Sequence, residues 1–196
     1  MFLAASPTDE TPLALDREAR AIHVELERSG HRDRFEFVTR WAVEPLDLLR
    51  ELRKLRPTIV HFSGHGQRAT GGLYFQAANG NAQLVSAAAI EQTFGAAGDS
   101  VRLVALNACY SAAQADALAV HVDFVVGMSG AISDDGARHF AIGFYGGLGE
   151  RQSVAAAYQQ GKAAISLAGL HDGELPQLKV RAGVDAARVV LAASGS

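Results

Sequence analysis

Short apolar segments alternate along this chain with stretches of helical periodicity, and no other feature restricts the fold as strongly. The clearest apolar segment covers residues 101–107, while Leu15, Ala19 and Ile22 recur at the spacing of one helix face. Strands that alternate with helices form a mostly parallel sheet covered on both faces. The pattern therefore predicts an α/β protein.

The order of elements follows from the same periodicities and from turn signals at glycine, proline and asparagine. We expect one domain over residues 1–196 that begins with its first strand, because the sequence has no repeat or linker. The predicted helices cover 15–28, 45–56, 87–94, 112–120, 136–148 and 153–167. The predicted strands are 1–5, 35–41, 58–63, 101–107, 124–128 and 178–180, with a hairpin that starts at 71–76 and turns at 79–81.

Charge and cysteine content exclude some classes of function. The formal charge is −3, which lacks the basic excess that binding to a phosphate backbone requires, so we expect no nucleic-acid partner. A single cysteine cannot form an internal disulfide. The sequence shows neither a signal-peptide pattern nor a run of about 18 apolar residues, so we expect a cytoplasmic protein without membrane contact.

Two predicted strands end in residues that carry chemistry. Residues 58–63 lead into Gly64-His65-Gly66, and residues 101–107 lead into Ala108-Cys109-Tyr110-Ser111. Ligand sites in parallel sheets lie outside the carboxyl ends of the strands. If the two strands are neighbours, His65 comes within reach of Cys109 and can act as the base that activates the thiol.

The glycines beside His65 would let the backbone come close to a substrate. The amides of Gly66 and Cys109 could then bind the oxyanion of an acyl-transfer intermediate. Taken singly, Cys109 could be a packed core residue and His65 a turn residue. The pair, each member at the end of a buried strand, is a more specific signal than either alone.

Other types of site find little support in the sequence. His61 and His65 share strand parity, but no further ligand at suitable spacing completes a metal cluster, so we interpret His61 as a partly buried strand residue. No glycine-rich dinucleotide motif or phosphate loop is present. We expect neither a metal nor an organic cofactor.

The motif Ser-Gly-His-Gly at 63–66, followed by Asn-Ala-Cys-Tyr-Ser at 107–111, resembles the CHAT peptidases. The likeness extends to the opening residues 3–7, to 126–129 and to 144–148. This resemblance implies a caspase-like three-layer α/β/α sandwich around a mostly parallel six-stranded sheet. It also implies that His65 serves as general base and acid, that Cys109 is the nucleophile, and that peptide bonds are cleaved without a metal.

Kinship with CHAT peptidases further implies a regulated protease of a bacterial defence or cell-death pathway. Its partners would be a dedicated protein substrate, such as a gasdermin-like pore-former, and a regulatory sensor module or protein. Two other readings remain open. One is a catalytically silent CHAT-like module that binds a partner protein, and the other is a thiol-dependent hydrolase of a small molecule.

The resemblance also implies cleavage after a basic residue, read by an acid in the substrate pocket. Several relatives carry an aspartate two residues before the cysteine, whereas this chain has Asn107. Asp134 and Asp135, in the loop after the strand 124–128, are the alternative acids, with Asp134 preferred, although Ser133 or Asp134 could instead cap the next helix. Asp9 and Glu10 could also reach the groove. We predict cleavage after arginine and weaker cleavage after lysine.

Overall fold

The computed structural model describes residues 1–68 and 71–191, and a six-stranded sheet forms its centre. The strands in chain order are β1 Phe2–Ala5, β2 Thr39–Arg40, β3 Ile59–Gly64, β4 Gly72–Gln76, β5 Ala82–Ser86, β6 Leu103–Asn107, β7 Phe124–Met128 and β8 Pro176–Val180. The main sheet has the order β2-β1-β3-β6-β7-β8, in which only β8 pairs antiparallel. Strands β4 and β5 form the predicted hairpin outside this sheet.

Six α-helices occur in the described ranges, and their ends follow local sequence signals. They are α1 Leu15–Arg28, α2 Pro45–Leu55, α3 Ala87–Ala96, α4 Ala112–Leu118, α5 Asp134–Gly149 and α6 Val154–Leu167. The hydroxyl oxygens of Ser86, Ser133 and Ser153 each accept a hydrogen bond from the amide three residues later, which satisfies a free donor at the start of α3, α5 and α6. None of these helices is long and apolar enough to cross a bilayer.

Both faces of the sheet are covered, so the predicted three-layer arrangement is confirmed. Apolar side chains of α1, α5 and α6 pack with Phe2 and Ala4 on one face. Those of α2, α3 and α4 pack with Leu3 and Ala5 on the other. Successive strand residues point to opposite faces, which is why the short strand β1 contributes to both cores.

The predicted strand at 35–41 is wrong for most of its length, because only Thr39 and Arg40 pair with β1. The alternation that suggested a strand has another origin. Phe37 stacks on His23 with ring centroids 5.3 Å apart and lies 6.2 Å from the ring of Phe2. Phe35 and Phe37 are thus partly buried against the core that contains α1, and the ladder with β1 is limited to Thr39 and Arg40.

The pairing of β3 with β6 matters most for function. These strands are parallel neighbours, and Ser63 lies opposite Asn107 in the register. Their carboxyl ends consequently open at the same edge of the sheet, as the sequence predicted.

Candidate active site

His65 and Cys109 line one small cleft at the carboxyl edge of the sheet. The cleft has a volume of ≈ 50 Å³ and is bounded by the start of α1, the ends of β3 and β6, and the segment that leads into α5. Both side chains are half-buried, so each is held by the protein and still faces the cleft. The structure thus brings together the two residues singled out in the sequence.

The imidazole of His65 is oriented by the backbone before α1. Its Nε2 atom lies 2.8 Å from the carbonyl oxygen of Thr11. A carbonyl oxygen can only accept, so Nε2 carries the proton in the neutral ring. The lone pair is then on Nδ1, which leaves that nitrogen able to take a proton.

Cys109 lies in a tight turn between β6 and α4. The thiol donates a weak hydrogen bond to the carbonyl oxygen of Ile132 at 3.8 Å, and among the described residues no hydrogen bond joins it to His65. The next residue, Tyr110, has a φ of 58°, a left-handed conformation that is costly for a residue with a bulky side chain. Its amide donates to the carbonyl oxygen of Gly130 at 3.1 Å.

Gly66 lies directly against the backbone of Cys109. A Cβ atom built on Gly66 would lie only 2.0 Å from the Cys109 carbonyl oxygen and 3.3 Å from its nitrogen. Within the described ranges, the amides of Gly66 and Cys109 donate no hydrogen bond to another group. Two unused backbone donors therefore lie close together beside the thiol.

Ser111 supports this turn from behind. Its side chain is fully buried, donates to the Leu106 carbonyl oxygen at 3.0 Å and accepts from the Met128 amide at 2.9 Å. Hydrogen bonding assigns the orientation of the buried Gln114 amide: its nitrogen faces the carbonyl oxygens of Tyr110 and Ser111 at 3.2 and 3.0 Å, and its oxygen faces the Gly72 amide. The turn that carries Cys109 is consequently tied to both β6 and β7.

A buried polar cluster centred on Glu18 underlies the site, and sequence reasoning missed it. The carboxylate of Glu18 accepts from Ser63 at 2.5 Å, from the Asn107 side-chain amide, and lies 2.9 Å from His61 Nε2. The other ring nitrogen of His61 lies 3.0 Å from the Tyr145 hydroxyl. His61 is only 3% exposed, so it is buried more deeply than predicted.

One signal in the sequence could have revealed Glu18. It follows Leu15 by three residues and precedes Ile22 by four, so it lies on the apolar face of α1. An acid at such a position is buried and needs partners.

The environment shifts two ionisation equilibria in this cluster. Burial by itself would raise the pKa of the Glu18 carboxyl, but the neighbouring His61 and the hydrogen bonds from His61, Ser63 and Asn107 lower that pKa below its ordinary value. Burial, with the nearby Glu18 charge, raises the pKa of Tyr145 far above its ordinary value. Glu18 is therefore ionised and Tyr145 neutral near pH 7.

Of the three predicted substrate-binding residues, two line the cleft and one does not. Asn107 and Asp134 line the cleft, and a carboxylate oxygen of Asp134 lies 3.4 Å from the Ala14 amide. Asp135 does not line it and forms an ion pair with Arg138 at 2.7 Å. Ser133, and not Asp134, is the N-cap of α5, because its hydroxyl oxygen accepts a hydrogen bond from the Gly136 amide at 3.0 Å.

Asp9, which the sequence also offered as an acid near the groove, accepts from the Ala82 amide at 2.7 Å and so helps to hold the β4–β5 hairpin.

Across residues 1–68 and 71–191, no three His, Cys, Asp or Glu side chains converge as a set of metal ligands.

Comparison with known structures supports the fold. A structure of a secreted C11 cysteine protease from Bacteroides thetaiotaomicron, in complex with an irreversible peptide inhibitor, superposes with a TM-score of 0.65 at 11% identity. The match covers 91% of this chain and 65% of that one, so this chain spans slightly less than two thirds of the protease's length. The caspase-like fold implied by the sequence is thereby confirmed.

A search of curated proteins found no match. A family model described as "CHAT domain" matches residues 5–171, a range that includes His65, Gly66 and Cys109. The chain therefore belongs to the CHAT domain family.

Proposed function

We propose that this protein is a cysteine endopeptidase that uses His65 as base and Cys109 as nucleophile. One observation carries the proposal: both side chains line the same cleft, with the Gly66 backbone packed against Cys109. The fold it shares with a cysteine protease captured by a peptide inhibitor supports the same chemistry. Catalytic hydrogen bonds are often long before substrate binds, so the present thiol contact with Ile132 is compatible with this role.

In the proposed reaction, Nδ1 of His65 accepts the thiol proton and the Cys109 sulfur attacks the scissile carbonyl carbon. The amides of Gly66 and Cys109 donate to the oxyanion that forms. His65 then returns the proton to the leaving amine as the C–N bond breaks, which leaves a thioester. Water, deprotonated by His65, hydrolyses the thioester and releases Cys109.

The proposed substrate is a protein cut after a basic residue, with Asp134 and Asn107 as binding residues in the cleft. Kinship within the CHAT family extends the proposal to a regulated enzyme of a bacterial defence or cell-death pathway that acts in the cytoplasm. A gasdermin-like pore-former is the proposed type of substrate, and a sensor module or protein the proposed regulator.

Digestion of a peptide library by the purified protein tests the central proposal. Cys109→Ala and His65→Ala should each reduce kcat/KM by at least about 10³-fold, because the two groups act as one unit. His139→Ala is the matched control, since this half-buried histidine lies on α5 and does not line the cleft. Cleavage by the Cys109→Ala protein at the wild-type rate would refute the assignment.

The alternative is a catalytically silent module that binds a partner protein. The contact of the thiol with Ile132, which leaves Cys109 without a hydrogen bond to His65 among the described residues, is the observation that favours it. Iodoacetamide labelling near neutral pH separates the two functions. A peptidase should label rapidly at Cys109 and more slowly after His65→Ala, whereas a silent module should label slowly in both forms.

A further inference from the structure

A second and larger cavity lies at the other end of the sheet from the dyad. It has a volume of ≈ 300 Å³ and lies beside the amino ends of β1 and β3, where Met1 and Ile59 line it. Small-molecule sites in proteins begin at about this size. The cavity shares no lining residue with the cleft that holds His65 and Cys109, so the two are separate.

The wall of this cavity is mostly apolar and aromatic. Two almost fully buried residues, His61 and Tyr145, belong to it. Both ring nitrogens of His61 are already bonded, to Glu18 and to the Tyr145 hydroxyl, so this part of the wall offers mainly ring surface. Such a wall suits an aromatic ligand body. The apolar side chains around it are Leu26, Phe35, Phe37, Leu55, Ile59 and Leu191.

The mouth of the cavity carries more positive than negative charge. Arg34, Arg56 and Glu36 line it and are exposed, which sets two guanidiniums against one carboxylate. The Arg56 side chain forms no ion pair or hydrogen bond within residues 1–68 and 71–191. The amine of Met1, by contrast, donates to the Ile59 carbonyl oxygen at 2.9 Å. An anionic group therefore complements the mouth, and Arg56 is the cation available to bind it.

The wall of the cavity also touches the floor of the cleft. His61 lines the cavity and Glu18 lines the cleft, and Nε2 of His61 lies 2.9 Å from the Glu18 carboxylate. The Tyr145 hydroxyl holds the other ring nitrogen of His61 at 3.0 Å. A ligand that packs against Tyr145 is thus two hydrogen bonds away from Glu18.

Glu18 in turn joins the two strands that carry the dyad. Its carboxylate accepts from Ser63 near the end of β3 and from Asn107 at the end of β6. Ser63 and Asn107 precede His65 and Cys109 by two positions each. The position of Glu18 therefore bears on the alignment of both strand ends.

We propose that this cavity is an effector site for a small aromatic carboxylate, whose binding activates the dyad through His61 and Glu18. The ring of the ligand would pack against Tyr145, and its carboxylate would pair with Arg56. The bound ligand fixes Tyr145 and with it the hydrogen bonds that align the ends of β3 and β6. Better alignment of base and nucleophile raises reactivity. This regulatory role rests on the proposed peptidase function, whereas binding to the cavity does not.

The binding site is tested with 4-phenylbutyrate, and the matched ligand is 4-phenylbutyramide, which lacks the charge. Both are titrated into wild-type protein and followed by backbone amide chemical shifts. The carboxylate should bind at least about tenfold more tightly than the amide. Shift changes should centre on residues 34–38, 55–59 and Tyr145. No saturable binding, or changes confined to the cleft residues 132–138, would overturn the proposal.

Variants of α2 and of the residue that follows it locate the charge contact. Arg56→Gln should remove the tenfold preference for the carboxylate. Arg53→Gln is the matched control, because Arg53 is an exposed arginine of α2 that does not line the cavity, and it should keep the preference. A preference retained in Arg56→Gln would reject Arg56 as the anion-binding residue and with it the proposed site.

The effector role is measured as the rate at which iodoacetamide labels Cys109. Saturating 4-phenylbutyrate should accelerate labelling of wild-type protein at least about fivefold. Tyr145→Phe should still bind the ligand but lose the acceleration, because its ring remains and its hydrogen bond to His61 does not. Unchanged or slower labelling of wild-type protein with ligand bound would overturn the effector role.

If Tyr145→Phe fails to fold, the shift map of wild-type protein decides. Ligand-induced changes at His61, Ser63 and Asn107 support transmission to the cleft, and their absence contradicts it. The tests also separate this proposal from the peptidase assignment. Accelerated labelling of a protein that cleaves no peptide would support the effector site and reject the peptidase, and peptide cleavage that 4-phenylbutyrate does not alter would do the reverse.

Discussion

The Nε2 atom of His65 lies 2.8 Å from the carbonyl oxygen of Thr11, and this contact fixes the tautomer of the imidazole. His139 provides the opposite case, because its Nδ1 atom lies 2.8 Å from the carbonyl oxygen of Asp135. Each carbonyl can only accept, so the nearer ring nitrogen must carry the proton.

Long-range ¹⁵N–¹H spectra at a pH where the rings are neutral should therefore show His65 protonated on Nε2 and His139 on Nδ1. The two signals serve as controls for each other within one sample. A His65 ring protonated on Nδ1 would remove the lone pair that the proposed proton transfer requires.

The Glu18 cluster should make stability depend on pH. The pKa of Glu18 is lower in the folded protein than its ordinary value, so the unfolded chain binds more protons as the pH falls. The stabilising contribution is fully present above the ordinary pKa and is lost as the pH falls through the folded pKa. Urea unfolding between pH 7 and acid should show a decline that Glu18→Gln makes shallower.

Glu27→Gln is the matched control, because Glu27 belongs to the same helix and its side chain is 63% exposed. This variant should leave the pH profile unchanged. Glu18→Gln should also lower the free energy of unfolding at pH 7 by about 1–3 kcal/mol, because buried donors in the cluster lose a charged acceptor. A wild-type profile in Glu18→Gln would show that the cluster does not control acid stability.

Gly66→Ala should impair both stability and peptide cleavage. The added methyl group would lie 2.0 Å from the Cys109 carbonyl oxygen, and that backbone must move to make room. Overpacking of this kind costs about 1–3 kcal/mol, and loss of one oxyanion donor lowers kcat by about 10²-fold. Thermal unfolding and peptide kinetics measure the two effects.

Gly173→Ala is the comparison for Gly66→Ala, since the nearest atoms to its added methyl lie 3.6 and 3.9 Å away. It should be nearly neutral in both measurements. If Gly66→Ala behaved in the same way, the close approach to Cys109 would have no functional importance.

Ser111→Ala should loosen the turn that presents Cys109. The hydroxyl satisfies a Leu106 carbonyl and a Met128 amide, both of which would lose a buried partner. We expect a loss of about 2–4 kcal/mol by chemical denaturation, whereas Ser86→Ala, at the exposed start of α3, should cost about 1 kcal/mol. Equal losses in the two variants would mean that Ser111 acts only as a local cap.

Much of this architecture could be predicted from local patterns. Buried strands and amphipathic helices leave periodic signals, and His65 and Cys109 could be placed at one sheet edge because parallel strands end on the same side. The contact of Thr11 with His65 and that of Glu18 with Asn107 could not be predicted, because they join residues that are 54 and 89 positions apart in the chain. The predicted strand at 35–41 was wrong for a related reason. Alternation of apolar and polar residues indicates that one side of a segment is buried, and a loop that packs against a sheet edge shows the same pattern as a strand.

The pairing of β3 with β6 makes the position of the dyad independent of the chain that connects these two strands. Parallel neighbours lie about 4.8 Å apart whatever connects them, so the spacing of His65 and Cys109 is set by the ladder that pairs Ser63 with Asn107. The intervening helix α3 packs on the sheet face that α2 and α4 also cover. Beyond α3 the chain turns at Gly98, whose φ of 81° suits glycine and around which the space is open. We therefore expect a peptide inserted after Gly98 to leave the register of β3 and β6, and with it the dyad, in place.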